Sequence, residues 1–145
     1  MRILFAFIFI VFLSACETDD NRQRNPNLLN INVDYEISLN LPQFNNLNFP
    51  GNAIYIPSQG NLGIIVVNSG SGFYAWDAAD PNLPPSNCSR LVIDDLVATS
   101  SCNPPNTYSL IDGLPIADNE NEGELRYGML SYRVTESGSV LRIFN

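Results

Sequence analysis

The chain is patterned in short segments with the length or the period of β-strands, separated by polar turns and loops. The exception comes first: behind Arg2, Ile3 to Leu13 is an uninterrupted apolar run, too short to span a bilayer as a permanent helix. Polar residues 17–27 follow it. Then Ile31, Val33, Tyr35, Ile37, Leu39 and Leu41 alternate with Asn32, Asp34, Glu36, Ser38 and Asn40. Successive side chains of a strand point to opposite faces, so this predicts a half-buried strand, ended by Pro42. Ala53 to Ile56 is a short strand. Leu62 to Val67 is continuously apolar, as a strand covered on both faces must be. Asn68 to Gly72 reads as a hairpin turn into Phe73 to Trp76. Residues 77–90 are proline-rich and aperiodic, a long loop. Arg90 to Ile93 and Leu96 to Thr99 are strands around a turn at Asp94-Asp95. Ser100 to Asn106 is a second proline-rich loop. Tyr108 to Ile111 is a strand, turning at Asp112-Gly113. Residues 117–124 form an acidic loop. Tyr127 to Val134 and Val140 to Phe144 form a closing hairpin across Glu136-Ser137-Gly138. After the apolar run no segment has a helical period. The prediction is an all-β sandwich or barrel of short antiparallel strands.

The apolar run ends in Leu13-Ser14-Ala15-Cys16. Its length and its positive start fit a signal peptide. Small residues before a cysteine let a peptidase reach the backbone, and this stretch resembles a bacterial lipobox. The resemblance implies that residues 1–15 are removed, that Cys16 is acylated, and that the lipid holds the chain on a membrane. Glu17-Thr18-Asp19-Asp20 is similar to the export signal of Bacteroidetes lipoproteins. That implies the outer membrane, on its periplasmic or surface face; read alone, the same patch is a solvated acidic linker. Residues 16–27 are then the acylated cysteine and a flexible tether. Residues 28–145 form a single β domain.

Charge narrows the partners. Seven arginines and no lysine stand against 15 acidic residues, for a net charge of −8, and there is no histidine. Nucleic acid, bound through cationic contacts to phosphate, is excluded as a partner. So is electrostatic docking on anionic lipid. Beyond Cys16 only Cys88 and Cys102 remain. In an oxidising exported compartment an even pair reads as a disulfide, and otherwise as two buried thiols.

From Gly63 to Asn145 the chain resembles Rieske iron–sulfur domains. IVVNSGSGFYAWDAADPN has the frame of the hairpin that leads into the family's first ligand loop, Cys-x-His. SCNPPNTYSLIDG has the frame of the second, Cys-x-x-His followed by an aromatic and a turn glycine. LRYGMLSYRVTESGSVLRIFN looks like the closing hairpin. The resemblance implies small antiparallel sheets with two loops at one tip, tied by Cys88 and Cys102 as in members that carry a loop disulfide. It also puts Asp80, Asn82, Ser101 and Pro104 at the four cluster-ligand positions. A Rieske centre needs two thiolates and two imidazoles. The chain has no histidine, so the expectation is a Rieske-like fold with degenerate ligand positions, no metal and no other cofactor.

Without histidine, Ser-His-Asp and Cys-His nucleophiles and the usual zinc sites are excluded as well. Asp94/Asp95 and Asp77/Asp80 are candidate acid–base carboxyl pairs by residue type only, and turn and loop roles explain them better. Asp118 to Glu124 is oxygen-rich enough to suggest calcium. Counted from Asp118, however, Met129 stands where an EF-hand loop needs glutamate. Phe73, Tyr74, Trp76 and Tyr108 flank the two loops, either as a surface for a glycan or protein or as core beneath the loops. The expected function is a non-enzymatic, membrane-anchored binding or structural module, its partner an unidentified envelope protein or glycan. The alternatives are a Rieske-type electron carrier with atypical ligation and an Ig-like carbohydrate-binding lipoprotein.

Overall fold

The computed structural model describes residues 25–117 and 125–145. The expected signal segment 1–15, the expected lipidation residue Cys16 and the oxygen-rich loop 118–124 lie outside the described residues. Ten strands are described: β1 (Asp34–Ser38), β2 (Ala53–Ile56), β3 (Ile64–Asn68), β4 (Phe73–Asp77), β5 (Leu91–Asp94), β6 (Val97–Ser100), β7 (Thr107–Ser109), β8 (Pro115–Ile116), β9 (Ser131–Ser137) and β10 (Val140–Phe144). They form a six-stranded sheet, β1-β10-β9-β4-β3-β2, and a four-stranded sheet, β5-β6-β7-β8. Every pair is antiparallel. The fold is all-β, as the alternation predicts.

β3 explains how the two sheets share a core. Its continuous apolar run has both faces covered, because successive side chains belong to different clusters. Ile64 and Val66 pack with Ile37, Leu47, Ala75, Leu141 and Ile143. Ile65 and Val67 pack with Trp76, Leu91, Ala98, Tyr108 and Leu110. β4 divides in the same way, Ala75 into the first cluster and Trp76 into the second. The Trp76 indole N–H donates to the Leu110 carbonyl at 2.9 Å, so this buried ring keeps no unpaired polar atom. Among the flanking aromatics, Trp76 and Tyr108 are core, and Tyr74 alone is well exposed.

Several boundaries differ from those expected, each for a hydrogen-bonding reason. β1 is shorter than its alternation because its partner β10 ends at Val140 and Phe144. Beyond the strand the pairing persists only as single bonds, Leu39 N–H to the Ser139 carbonyl and Asn145 N–H to the Val33 carbonyl. β7 stops at Ser109, whose carbonyl accepts the Gly113 N–H and begins the turn. β9 starts at Ser131. Before it, Met129 N–H donates to the Gly113 carbonyl and the Leu130 carbonyl accepts from Asp77, so this stretch bridges the sheets. A 3-10 turn at Asn45–Asn48 was not expected; it buries Leu47, and the Asn48 amide donates to the Leu39 carbonyl at 3.0 Å. Residues 25–27, expected as the end of the tether, are fastened down: the side-chain amides of Asn25 and Asn27 donate to the Pro81 carbonyl at 2.7 and 3.0 Å.

Candidate functional site at the disulfide-linked tip

The loop after β4 is less irregular than its prolines suggest. Ala78 N–H donates to Gly63, Asp80 N–H to Ser89 and Leu91 N–H to Ala78, while Ala79 and Arg90 form an isolated bridge. These bonds close residues 80–89 into one projecting loop. The second loop, 101–106, lies against it. Ser101 N–H donates to the Cys88 carbonyl at 2.9 Å. Cys88 and Cys102 are joined by a disulfide, with Cα atoms 4.8 Å apart. The expected pair of disulfide-linked loops at one tip is therefore present.

Beneath them lies a polar hub centred on Asp80, which is fully buried. Tyr108 donates its hydroxyl to Asp80 Oδ1 at 2.6 Å, and the Asn106 amide donates to Oδ2 at 2.9 Å. Asn82 N–H reaches Oδ1 at 2.9 Å. The Asn82 amide donates to the Tyr108 hydroxyl and to the Tyr127 carbonyl, while its Oδ1 accepts from the N–H groups of Arg126 and Tyr127. Asn82 thus sews the first loop, β7 and the approach to β9 together. Burial, and then the bond to Asp80, push the Tyr108 hydroxyl far above the ordinary phenol range, so it stays a donor.

Of the four ligand positions named from sequence, Asp80 and Asn82 belong to this hub. Ser101 caps the Cys88 carbonyl through its N–H and its hydroxyl. Pro104 lines an open depression of about 620 Å³ beside the disulfide, with Leu83, Pro84 and Leu125. The hub does not fit an iron–sulfur cluster. Its donors are hard oxygens and amides already spent on one another, and the two sulfurs are spent in the disulfide. Among the described residues no three His, Cys, Asp or Glu side chains converge as a metal site. Of the candidate carboxyl pairs, Asp94 and Asp95 lie at the β5–β6 turn, where Asp95 takes a positive φ of 53°. Asp77 and Asp80 are both buried but serve separate networks.

Asp77 is the second hub. Its Oδ2 accepts from the Asn61 N–H at 2.8 Å, the Asn61 amide at 2.9 Å and the Tyr132 hydroxyl at 2.6 Å. Its Oδ1 accepts from Ala79 N–H at 2.9 Å. These bonds fix the loop between β2 and β3. Gly60 sits there at φ +71°, where a Cβ would lie 2.7 Å from Asp77 Oδ2 and 2.9 Å from the Tyr132 hydroxyl. Only glycine fits that left-handed position so close to the hub. The loop, with Ser86, Asn87 and Arg90, lines an open polar cleft of about 460 Å³. Arg90 stands over the Tyr55 ring, 5.6 Å from its centroid. Sequence reasoning missed this cavity. Its one visible signal was the turn-forming run Pro57-Ser58-Gln59-Gly60-Asn61. The partners Asn106 and Tyr132, which satisfy the buried carboxyls, carried no sequence signal at all.

Two solved structures resemble the fold. The ferredoxin of carbazole 1,9a-dioxygenase from Nocardioides aromaticivorans IC177 is 16% identical over 68% of this chain and 91% of that chain, with a TM-score of 0.46. A chain from a complex of reduced oxygenase and oxidized ferredoxin in carbazole 1,9a-dioxygenase is also 16% identical, over 66% and 82%, with a TM-score of 0.46. At that similarity the two lend this chain neither an activity nor a ligand set. No family model and no curated protein matches the sequence.

Proposed function

We propose that this chain is a lipid-anchored envelope protein with a Rieske-like β domain, acting as a non-catalytic binding or structural module. The observation that carries the reading is the Asp80 hub. Three of the four positions at which the Rieske resemblance expects cluster ligands, Asp80, Asn82 and Ser101, are used to hold the tip together by hydrogen bonds. A rigid scaffold with two stapled loops is suited to presenting a binding surface. The leader and Cys16 motif supports anchorage, and the acidic patch after Cys16 supports the outer membrane. Eight residues lie between Cys16 and Asn25, which is fastened to Pro81. Fully extended, they place the first tip loop within about 30 Å of the lipid.

Two experiments test the reading. Cells expressing the full chain are labelled with radioactive palmitate and fractionated. Label in the membrane-bound wild type, lost with release of Cys16→Ser, supports the anchor; an unlabelled wild type overturns it. The purified full chain is then melted before and after dialysis against a chelator. An unchanged melting temperature supports a hydrogen-bonded tip, whereas a fall of several degrees means that a metal holds the loops.

A further inference from the structure

The cavity under Arg90 has a character distinct from the tip depression. It is lined by Tyr55, Ser58, Gln59, Asn61, Ser86 and Arg90, among others, and no lining side chain is acidic. The chain carries a net charge of −8, and the one charged side chain in this cleft is a cation. Arg90 forms no ion pair with any described carboxylate, unlike Arg142, which is bound by Asp34. Its guanidinium is held instead over the Tyr55 ring. That ring is itself clamped: the Tyr55 hydroxyl donates to the Leu62 carbonyl at 2.8 Å, and its edge lies where a Cβ on Gly63 would be. The opposite wall is set by Asp77 through Asn61. The cleft therefore offers one cation held over an aromatic ring, with side-chain amides and hydroxyls around it, on two loops of which one is tied to the buried Asp77.

We propose that this cleft binds a carboxylate-bearing saccharide, such as a uronic acid residue. A guanidinium presents paired N–H groups that match the two oxygens of a carboxylate. Asn, Gln and Ser side chains match sugar hydroxyls, which both donate and accept. The volume lies in the range of small-ligand sites. Net charge selects among anions. A chain this acidic repels polyanions, whereas a single carboxylate needs one cation only. The assignment rests on the reading of the protein as a binding module and names the ligand class of one site on it. Its test is independent of iron and of anchorage.

The full chain, in detergent, is titrated with methyl β-D-glucuronide, and with methyl β-D-glucoside and sodium acetate as separate controls. Affinity is read by calorimetry, and the site by amide chemical shifts. The expected result is binding of the glucuronide, with shifts at Tyr55, Gln59, Asn61 and Arg90, and at least tenfold weaker binding of both controls. Arg90→Gln, at an exposed position, reduces glucuronide affinity by about tenfold or more, and Arg90→Lys restores part of it. Equal binding of the glucoside overturns the role of the charge. Equal binding of acetate overturns the saccharide. Absence of glucuronide binding, or shifts confined to another face, overturns the site. The shift map of the wild type decides even if Arg90→Gln fails to fold.

Discussion

Asp77 and Asp80 are three residues apart, equally buried, and accept three or more hydrogen bonds each, yet they organise different halves of the molecule. Asp77 ends β4 and ties the β2–β3 loop to β9 through Asn61 and Tyr132. Asp80 begins the tip and ties it to β7 through Asn106 and Tyr108. The first recruits backbone N–H groups from two segments and so sets the shape of a cavity wall. The second recruits mainly side chains and so closes the space between two loops. A buried carboxyl is tolerated only when its oxygens are satisfied. Here each supplies a fixed point from which an otherwise proline- and asparagine-rich loop gains a defined shape.

Removing either carboxyl tests that division, and Asp77→Ala is expected to have the largest effect. Several buried donors lose their acceptor at once, costing about 3–5 kcal/mol. That is a large share of the stability of an ordinary domain. The shift of the urea midpoint measures it. Amide exchange should quicken at Asn61, Leu62 and Ala79 while Asn82 and Asn106 keep their protection; the reverse pattern would merge the two hubs into one. Replacing Cys88 and Cys102 together by serine reopens a loop whose ends are 14 residues apart. The expected loss is about 3 kcal/mol, with quickened exchange around Ser101 and Ser89 and none in the β2–β3 loop. Tyr108→Phe keeps the ring in the core and deprives Asp80 of one donor. A loss of about 1–2 kcal/mol is expected, and a neutral result would remove Tyr108 from the hub.

The smallest effect belongs to the surface. The hydrogen bonds from Arg142 hold the Asp34 carboxyl below the ordinary aspartate range. The Leu114 N–H does the same for Asp112. A depressed folded-state value contributes stability that is present above the unfolded-state value and is lost as pH falls through the folded-state value. The melting temperature should therefore be level near neutrality and decline on acidification. Arg142→Gln should flatten that decline slightly, because the pair is solvent-exposed and screened by salt. A decline that Arg142→Gln leaves unaltered would assign the acid sensitivity elsewhere.

The strands were legible because burial imposes a period: β2 and β10 have the bounds that alternation and turn signals give, and β3 has both faces covered as its unbroken apolar run requires. The loop pair was legible through Cys88 and Cys102, with the Rieske resemblance setting them in one frame. The hubs were not. Asp80 was singled out as a displaced ligand position, but a carboxyl's partners are set by which loops meet in space. Asn106 and Tyr132 lie 26 and 55 residues from the groups they satisfy. β8 was missed because two residues are too few to show a period. The Arg90 cleft was missed because its walls come from segments that β3 and β4 separate in sequence.

The central claim is that hydrogen bonds around Asp80, rather than a metal centre, hold the tip. Expressing the full chain in cells with active iron–sulfur assembly, then measuring iron per chain and absorbance between 400 and 600 nm, tests it most directly. The account predicts a colourless protein without stoichiometric iron; visible bands accompanied by two irons per chain would contradict it.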